Sequence, residues 1–201
     1  MIRFNDHDWY LLYQPQYLRG DVVGYEALLR VKGDVTAFPR DLFYSMSRAD
    51  QQALTLLIAK AVADRIDCDP DHPISFNVSP EIFDRALVDH MIQVASTCPS
   101  GYLRIELIED VELIPAQAQF VQVLAEAGIG IVIDDIPDKY SLQNLELAES
   151  LGIPLILKVE MTQATPELMQ TLRAKNFTII QEGEAADINS GDIVQTRKVS
   201  R

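Results

Sequence analysis

The chain has 201 residues, 48% of them hydrophobic, and a formal net charge of -13; it can bury one substantial core but is shorter than the roughly 250 residues of a full eightfold β/α barrel. That acidic balance argues against DNA binding, which needs clustered Lys and Arg to meet phosphates. Cys68 and Cys98 lack Cys-x-x-Cys spacing and read as free thiols, Met1 to Asp8 is too polar for a secretory leader, and no apolar run nears the ~20 residues that span a bilayer, so one cytoplasmic domain over residues 1–201, without membrane insertion, is expected.

In chain order, apolar runs at Trp9–Tyr13 and Val22–Leu29 flank the turn-forming Arg19-Gly20-Asp21, which predicts an antiparallel hairpin. Asp50 to Ile66 repeats Leu54, Leu57, Ile58, Ala61 and Val62 at helical spacing, giving one apolar face. A strand at Ile74–Val78 leads into Ser79-Pro80-Glu81, a helix start with Ser at the N-cap and Pro in the first turn, and the helix is expected to run toward Thr97. Strands follow at Leu103–Ile108, Gly130–Ile133, Leu155–Val159, Thr178–Gln181 and Asp192–Gln195. Helices at Pro115–Ala127, Leu142–Leu151 and Pro166–Lys175 separate most of them. Only Glu184 to Ser190 precede the last strand, too few residues for a crossover helix, since such a connection takes at least about 10–12 residues. The last helices are therefore expected to be shortened or missing, leaving an apolar strip that favours a homodimer or a protein partner.

Polar residues fall at or just past the ends of these runs: Glu26, Asn77, Glu106, Asp134 with Asp135, Lys158 with Glu160, Glu182 and Gln195. In a β/α barrel the C-terminal strand ends form the working face. Carboxylates and an amide oxygen gathered there make a hard-cation site. Any one of them alone is commonly a helix cap or turn former, Asn77 for the helix at Pro80 and Asp134-Asp135 for the one at Ser141. So many acids converging would repel unless a cation relieved them. His7, His72 and His90 give no such pattern and read as surface residues.

The order of motifs resembles the EAL domain family of cyclic-di-GMP phosphodiesterases. Tyr13-Gln14-Pro15-Gln16-Tyr17 followed by Gly24-Tyr25-Glu26-Ala27-Leu28-Leu29-Arg30 is similar to the opening signature of that family. Asn77-Val78-Ser79, Glu106-Leu107-Ile108-Glu109, Asp134-Asp135, Lys158-Val159-Glu160, Glu182-Gly183 and Gly191-Asp192-Ile193-Val194-Gln195 continue it in sequence order. The resemblance implies an α/β fold, a TIM-like barrel whose first strands form a hairpin. It also implies Mg²⁺ or Mn²⁺ as cofactor, with Glu26, Asn77, Glu106 and Asp134 on one ion and Asp134, Asp135 and Glu182 on a second. By the same resemblance Lys158 faces the attacking water, Gln195 and Glu182 serve the catalytic network, Arg30 and Gln14 meet cyclic-di-GMP, and Glu109 tethers the loop after Asp135. Two divalent ions about 3.5–4 Å apart can clamp both oxygens of a phosphodiester displacement.

Two departures bear on activity. The family's Asp-Asp-Phe-Gly-Thr-Gly reads Asp134-Asp135-Ile136-Pro137-Asp138-Lys139 here, so both glycines are gone and Pro137 fixes φ where backbone freedom is usual. Glu160 replaces an Asp, which leaves its role undecided. The leading expectation is a phosphodiesterase, weakened by that loop, that opens cyclic-di-GMP to a linear dinucleotide. The alternatives are a non-catalytic EAL module that binds cyclic-di-GMP or a protein as a regulator, and an enolase-like barrel enzyme with Lys158 as base.

Overall fold

The computed structural model describes residues 1–34, 37–108, 112–183 and 191–195. Strand β1 (Ile2–Phe4) pairs with β2 (His7–Leu18), and β2 forms a long antiparallel hairpin with β3 (Asp21–Val31). The connecting Arg19 and Gly20 both have positive φ, 54° and 95°. That is the two-residue turn whose twist matches paired strands, so the expected hairpin forms for the expected reason.

From β3 onward the strands run parallel in chain order: β4 (Ile74–Val78), β5 (Leu103–Leu107), β6 (Gly130–Ile136), β7 (Leu155–Glu160), β8 (Thr178–Glu182) and β9 (Ile193–Gln195). Antiparallel pairing of β9 with β2 closes them into an eight-stranded barrel to which β1 is an addition. The outward residues of β4 to β7, among them Phe76, Ile105, Ile131 and Leu157, are buried under the helices. Alternation along each strand then turns Glu26, Ser75, Glu106, Asp134 and Lys158 into the barrel interior.

The helices are α1 (Arg40–Ser45), α2 (Arg48–Cys68), α3 (Arg85–Ala95), α4 (Pro115–Glu126), α5 (Lys139–Ser150) and α6 (Pro166–Ala174). Helix α2 starts where Ser47 accepts from the Asp50 amide at 3.1 Å, and it buries Leu54, Ile58, Val62 and Ile66 against the sheet. Helix α1 and strand β1 are too short to produce a periodic signal and were not expected from the pattern. The single helix expected after Asn77 is two pieces: a 3₁₀ turn at Pro80–Ile82, then a fresh start at Asp84, whose side chain caps α3 through the Leu87 amide at 2.9 Å. Ser79 rather than Asn77 caps the first piece. Likewise α5 begins at Lys139, not Leu142, because Asp138 accepts from the Tyr140 amide at 2.8 Å; Asp134 and Asp135 are not its cap.

Both cysteines are free. His72 departs from the surface reading: its Nε2 lies 3.0 Å from the Val22 carbonyl and its ring stands edge-on to Tyr25, which ties the β3–β4 region together. Glu184 to Ser190, where the shortened connection was expected, lie outside the described residues, as do Glu109 and Thr196 to Arg201. Among the described residues, no helix is long and apolar enough to cross a membrane.

Candidate active site

Four alternate strands each send one polar side chain to the middle of the barrel: Glu26 from β3, Glu106 from β5, Lys158 from β7 and Gln195 from β9. In β/α barrels such a layer is normally filled by branched apolar side chains. Here Glu26 is 3% exposed, Lys158 2%, and Glu106 and Gln195 0%. Burying charge is costly unless each group is paired and hydrogen-bonded, and the contacts show how that is met.

The Lys158 ammonium lies 2.8 Å from Glu106, 3.0 Å from Asp134, 3.2 Å from Glu26 and 3.7 Å from Glu182. Glu26 also accepts from Asn77 Nδ2 at 2.8 Å and from Gln195 Nε2. Glu106 accepts from the Ser75 hydroxyl on its other oxygen. These acids stand within the barrel rather than in the loops at its mouth; β3 runs five residues past Glu26 to Val31, and β6 runs past Asp134 to Ile136.

The electrostatics follow from those partners. Burial opposes charge on Glu26, yet Lys158 and the Gln195 and Asn77 amides hold its carboxyl below the usual range. Glu106 is pushed well up by burial and by the Glu26 charge, against Lys158. The two share one ammonium, and Glu26, with the larger set of donors, keeps its charge more readily. Burial opposes the Lys158 charge too, but Asp134, Glu106, Glu26 and Glu182 hold its pKa well above the ordinary lysine value. Glu182 is raised to about 7, first by burial and then by Asp134, Glu26 and Asp135, against Lys158.

Above this layer, Asp134, Asp135 and Glu182 offer carboxylate oxygens all within 4.8 Å of one another. Asp135 reaches this place with φ at 49°, a left-handed conformation that acidic residues tolerate better than most. Asn77 is exposed at the rim; because its NH₂ is given to Glu26, its carbonyl oxygen is the atom left to offer a cation. A cavity of about 360 Å³ opens over these groups and is lined also by Gln14 and Arg30. Arg30 is 8% exposed and donates to the Leu29 carbonyl at 2.8 Å.

Of the residues singled out from sequence, Glu26, Asn77, Asp134, Asp135, Lys158, Glu182, Arg30 and Gln14 line the cavity, with Glu106 and Gln195 directly beneath. Glu160 does not join them. Its Oε1 accepts from the Thr162 amide at 3.1 Å and the Thr162 hydroxyl at 2.7 Å, which turns it into the β7–α6 loop beside Gly183. The far wall was not anticipated: Phe38, Arg40, Phe43 and Tyr44, on and just before α1, form an aromatic side with the Phe38 and Phe43 rings 5.5 Å apart. An apolar run after Pro39 was the available signal. Ser75 was missed, and Gln16, part of the opening signature, was given no role, although each lies two residues from a named candidate on the same strand face.

The family model for the EAL domain matches residues 3–153. Among solved structures, an EAL domain protein from Listeria monocytogenes EGD-e superposes with a TM-score of 0.74 at 21% identity, over 96% of this chain and 87% of that one. The phosphodiesterase PaMucR in complex with c-di-GMP gives 0.77 at 20% identity, over 96% of each chain. BlrP1 of Klebsiella pneumoniae with calcium and cyclic-di-GMP gives 0.72 at 18%, over 94% of this chain and 54% of that one. No curated protein sequence matches.

Proposed function

We propose that this chain, which belongs to the EAL domain family, is a metal-dependent phosphodiesterase that opens cyclic-di-GMP to the linear dinucleotide, slowed by its altered loop. The observation that carries the reading is the convergence of four carboxylates, Glu26, Glu106, Asp134 and Glu182, on Lys158 at one cavity, with Asp135 beside Asp134 and Glu182.

The donor set fits a divalent cation. All of its members offer oxygen, as Mg²⁺ and Mn²⁺ prefer, and Asp134, Asp135 and Glu182 bring carboxylate oxygens within 4.8 Å of one another, a repulsion that a bound cation would lower. Glu26, Asn77, Glu106 and Asp134 would hold one ion, and Asp134, Asp135 and Glu182 the other. Bound there, the ions would neutralise the phosphate and acidify the attacking water. Water adds to phosphorus, the bond to the leaving ribose oxygen breaks, and that oxygen takes a proton.

This chain's residues prepare that step. Lys158, kept charged by its carboxylate neighbours, is a fixed donor and positive charge under the reacting phosphate. A base must be neutral, so the same environment speaks against the enolase-like alternative. Arg30 and Gln14 reach the cavity from the β2–β3 hairpin and suit the substrate's phosphate and base edges. The aromatic side at Phe38 and Phe43 suits a planar purine.

One observation favours the non-catalytic module as a second reading. Ile136 is 0% exposed and Asp138 is committed to capping α5, so the segment after Asp135 is packed as an end of structure rather than as an open phosphate-side loop. Purified protein with Mn²⁺ and cyclic-di-GMP decides between them. The linear dinucleotide, resolved by chromatography and lost at least about 100-fold in Glu26→Gln, supports hydrolysis. Tight binding without product supports the ligand-binding form of the module, and neither binding nor product sinks both hydrolysis and that form.

A further inference from the structure

Gln16 lies outside the cavity lining, yet it is 1% exposed and belongs to the polar centre of the barrel. Its Nε2 donates to Gln195 Oε1 at 2.8 Å, and Gln195 Nε2 donates to Glu26 Oε2. The order of these contacts is dictated by chemistry. A carboxylate only accepts, so Gln195 must turn its NH₂ toward Glu26, and its carbonyl oxygen then points away and must be met by a donor. Gln16 is that donor.

The backbone is arranged around the same contact. Gln16 and Gln195 are direct partners where β2 and β9 close the barrel. Opposite them on β3 the pairing slips between Gln16 and Tyr17, and a bulge of this kind commonly re-aims side chains beside a site. Gly24 faces Gln16 across that pair, and a Cβ there would lie 2.9 Å from Gln16 Oε1. The missing side chain at position 24 is the space that the Gln16 amide occupies.

We propose that Gln16 is a positioning residue that acts through Gln195 to fix the orientation of the Glu26 carboxylate toward its cation. The proposal rests on the reading of Glu26 as a cation ligand. Groups that orient a metal ligand typically change affinity by about 10–100-fold when removed.

The test uses the whole chain, with Gln16→Met to remove both polar ends at similar volume and Gln16→Glu to offer only an acceptor, which draws the Gln195 NH₂ away from Glu26. Mn²⁺ affinity should fall about tenfold or more in each. In a Gln195→Met background, Gln16→Met should cause no further loss, an outcome a merely structural role would not produce. Independently of metal, the Gln195 side-chain NH₂ signals, identified by their disappearance in Gln195→Met, should exchange slowly with solvent in the unaltered protein and quickly in Gln16→Met. Fast exchange in the unaltered protein overturns the relay even if both Gln16 variants fail to fold. If the unaltered protein binds Mn²⁺ and Gln16→Met binds it equally, the positioning role is wrong while the cation site stands. If the unaltered protein binds no Mn²⁺, the cation reading of Glu26 fails, and the relay is judged by the amide signals.

Discussion

Glu26 and Glu106 are held in one way, and Asp135 and Glu182 in another. The first pair lies in the barrel interior, where Lys158, Asn77, Gln195 and Ser75 donate to them. The second pair is only partly buried, and Glu182 meets the Lys158 ammonium at 3.7 Å, beyond hydrogen-bond reach. The contrast teaches that the inner acids are held by buried donors of the fold, whereas the outer cluster sets carboxylate oxygens close together with Lys158 on one side only, an arrangement that, after burial, raises Glu182 and that suits an added cation.

The largest effect should come from removing the shared ammonium. Lys158→Met leaves several buried carboxylates without their partner and should cost about 3–5 kcal/mol of stability in the presence of a chelator, read from the denaturant midpoint. A variant as stable as the parent would mean that the inner acids do not depend on Lys158.

Next in size is a pH effect from the outer cluster. Glu182 is raised from 4.5 to about 7 in the folded state, so between those values the folded protein keeps a proton that the unfolded chain has released. The contribution of Glu182 to stability without divalent cation should therefore be full below about pH 4.5, fall as pH rises to about 7, and level off above, by at most about 3 kcal/mol. Glu182→Gln should flatten that slope, and an unchanged slope would assign it to other groups.

Glu106→Gln sharpens the comparison from the inner side. It removes a charge that burial and Glu26 disfavour while keeping the shape, so stability in chelator should stay within about 1 kcal/mol of the parent. Mn²⁺ affinity should nonetheless drop at least about tenfold. A large stability loss with metal binding intact would make Glu106 purely structural.

The last test replaces Ile136-Pro137-Asp138-Lys139 with Phe-Gly-Thr-Gly. Thr is nearly as good a cap as Asp, and fitting a larger ring at position 136 should cost no more than about 1–3 kcal/mol of overpacking, less if the loop yields. Turnover of cyclic-di-GMP should rise. A slower graft would show that the native segment is an evolved alternative rather than a loss.

The strands of the parallel barrel were legible because each is a compact apolar run bounded by turn residues, and polar residues such as Glu26, Asn77 and Glu106 stood out at their edges. Their depth was not legible: β6 continues past the expected end at Ile133 to take in Asp134 and Asp135, and no local pattern says that a strand's polar residues face inward. Gln16 illustrates the remainder. It sits on β2 beyond the expected strand end at Tyr13, two residues from Gln14, and its meaning depends on Gln195 at the other end of the chain. Glu160, whose role spacing alone left undecided, is turned to the loop by hydrogen bonds from the neighbouring Thr162.

The barrel closes through two residue pairs between its second strand and its last, Gln16 with Gln195 and Tyr17 with Val194. During synthesis Glu26 emerges early and waits for a partner 169 positions later. Domains fold largely as the chain leaves the ribosome, so the acids of this centre are made, and must be kept from misassembly, well before the strand that locks them exists. A chain interrupted before Ile193 would carry every acid of the centre and still lack the strand that closes the barrel over them.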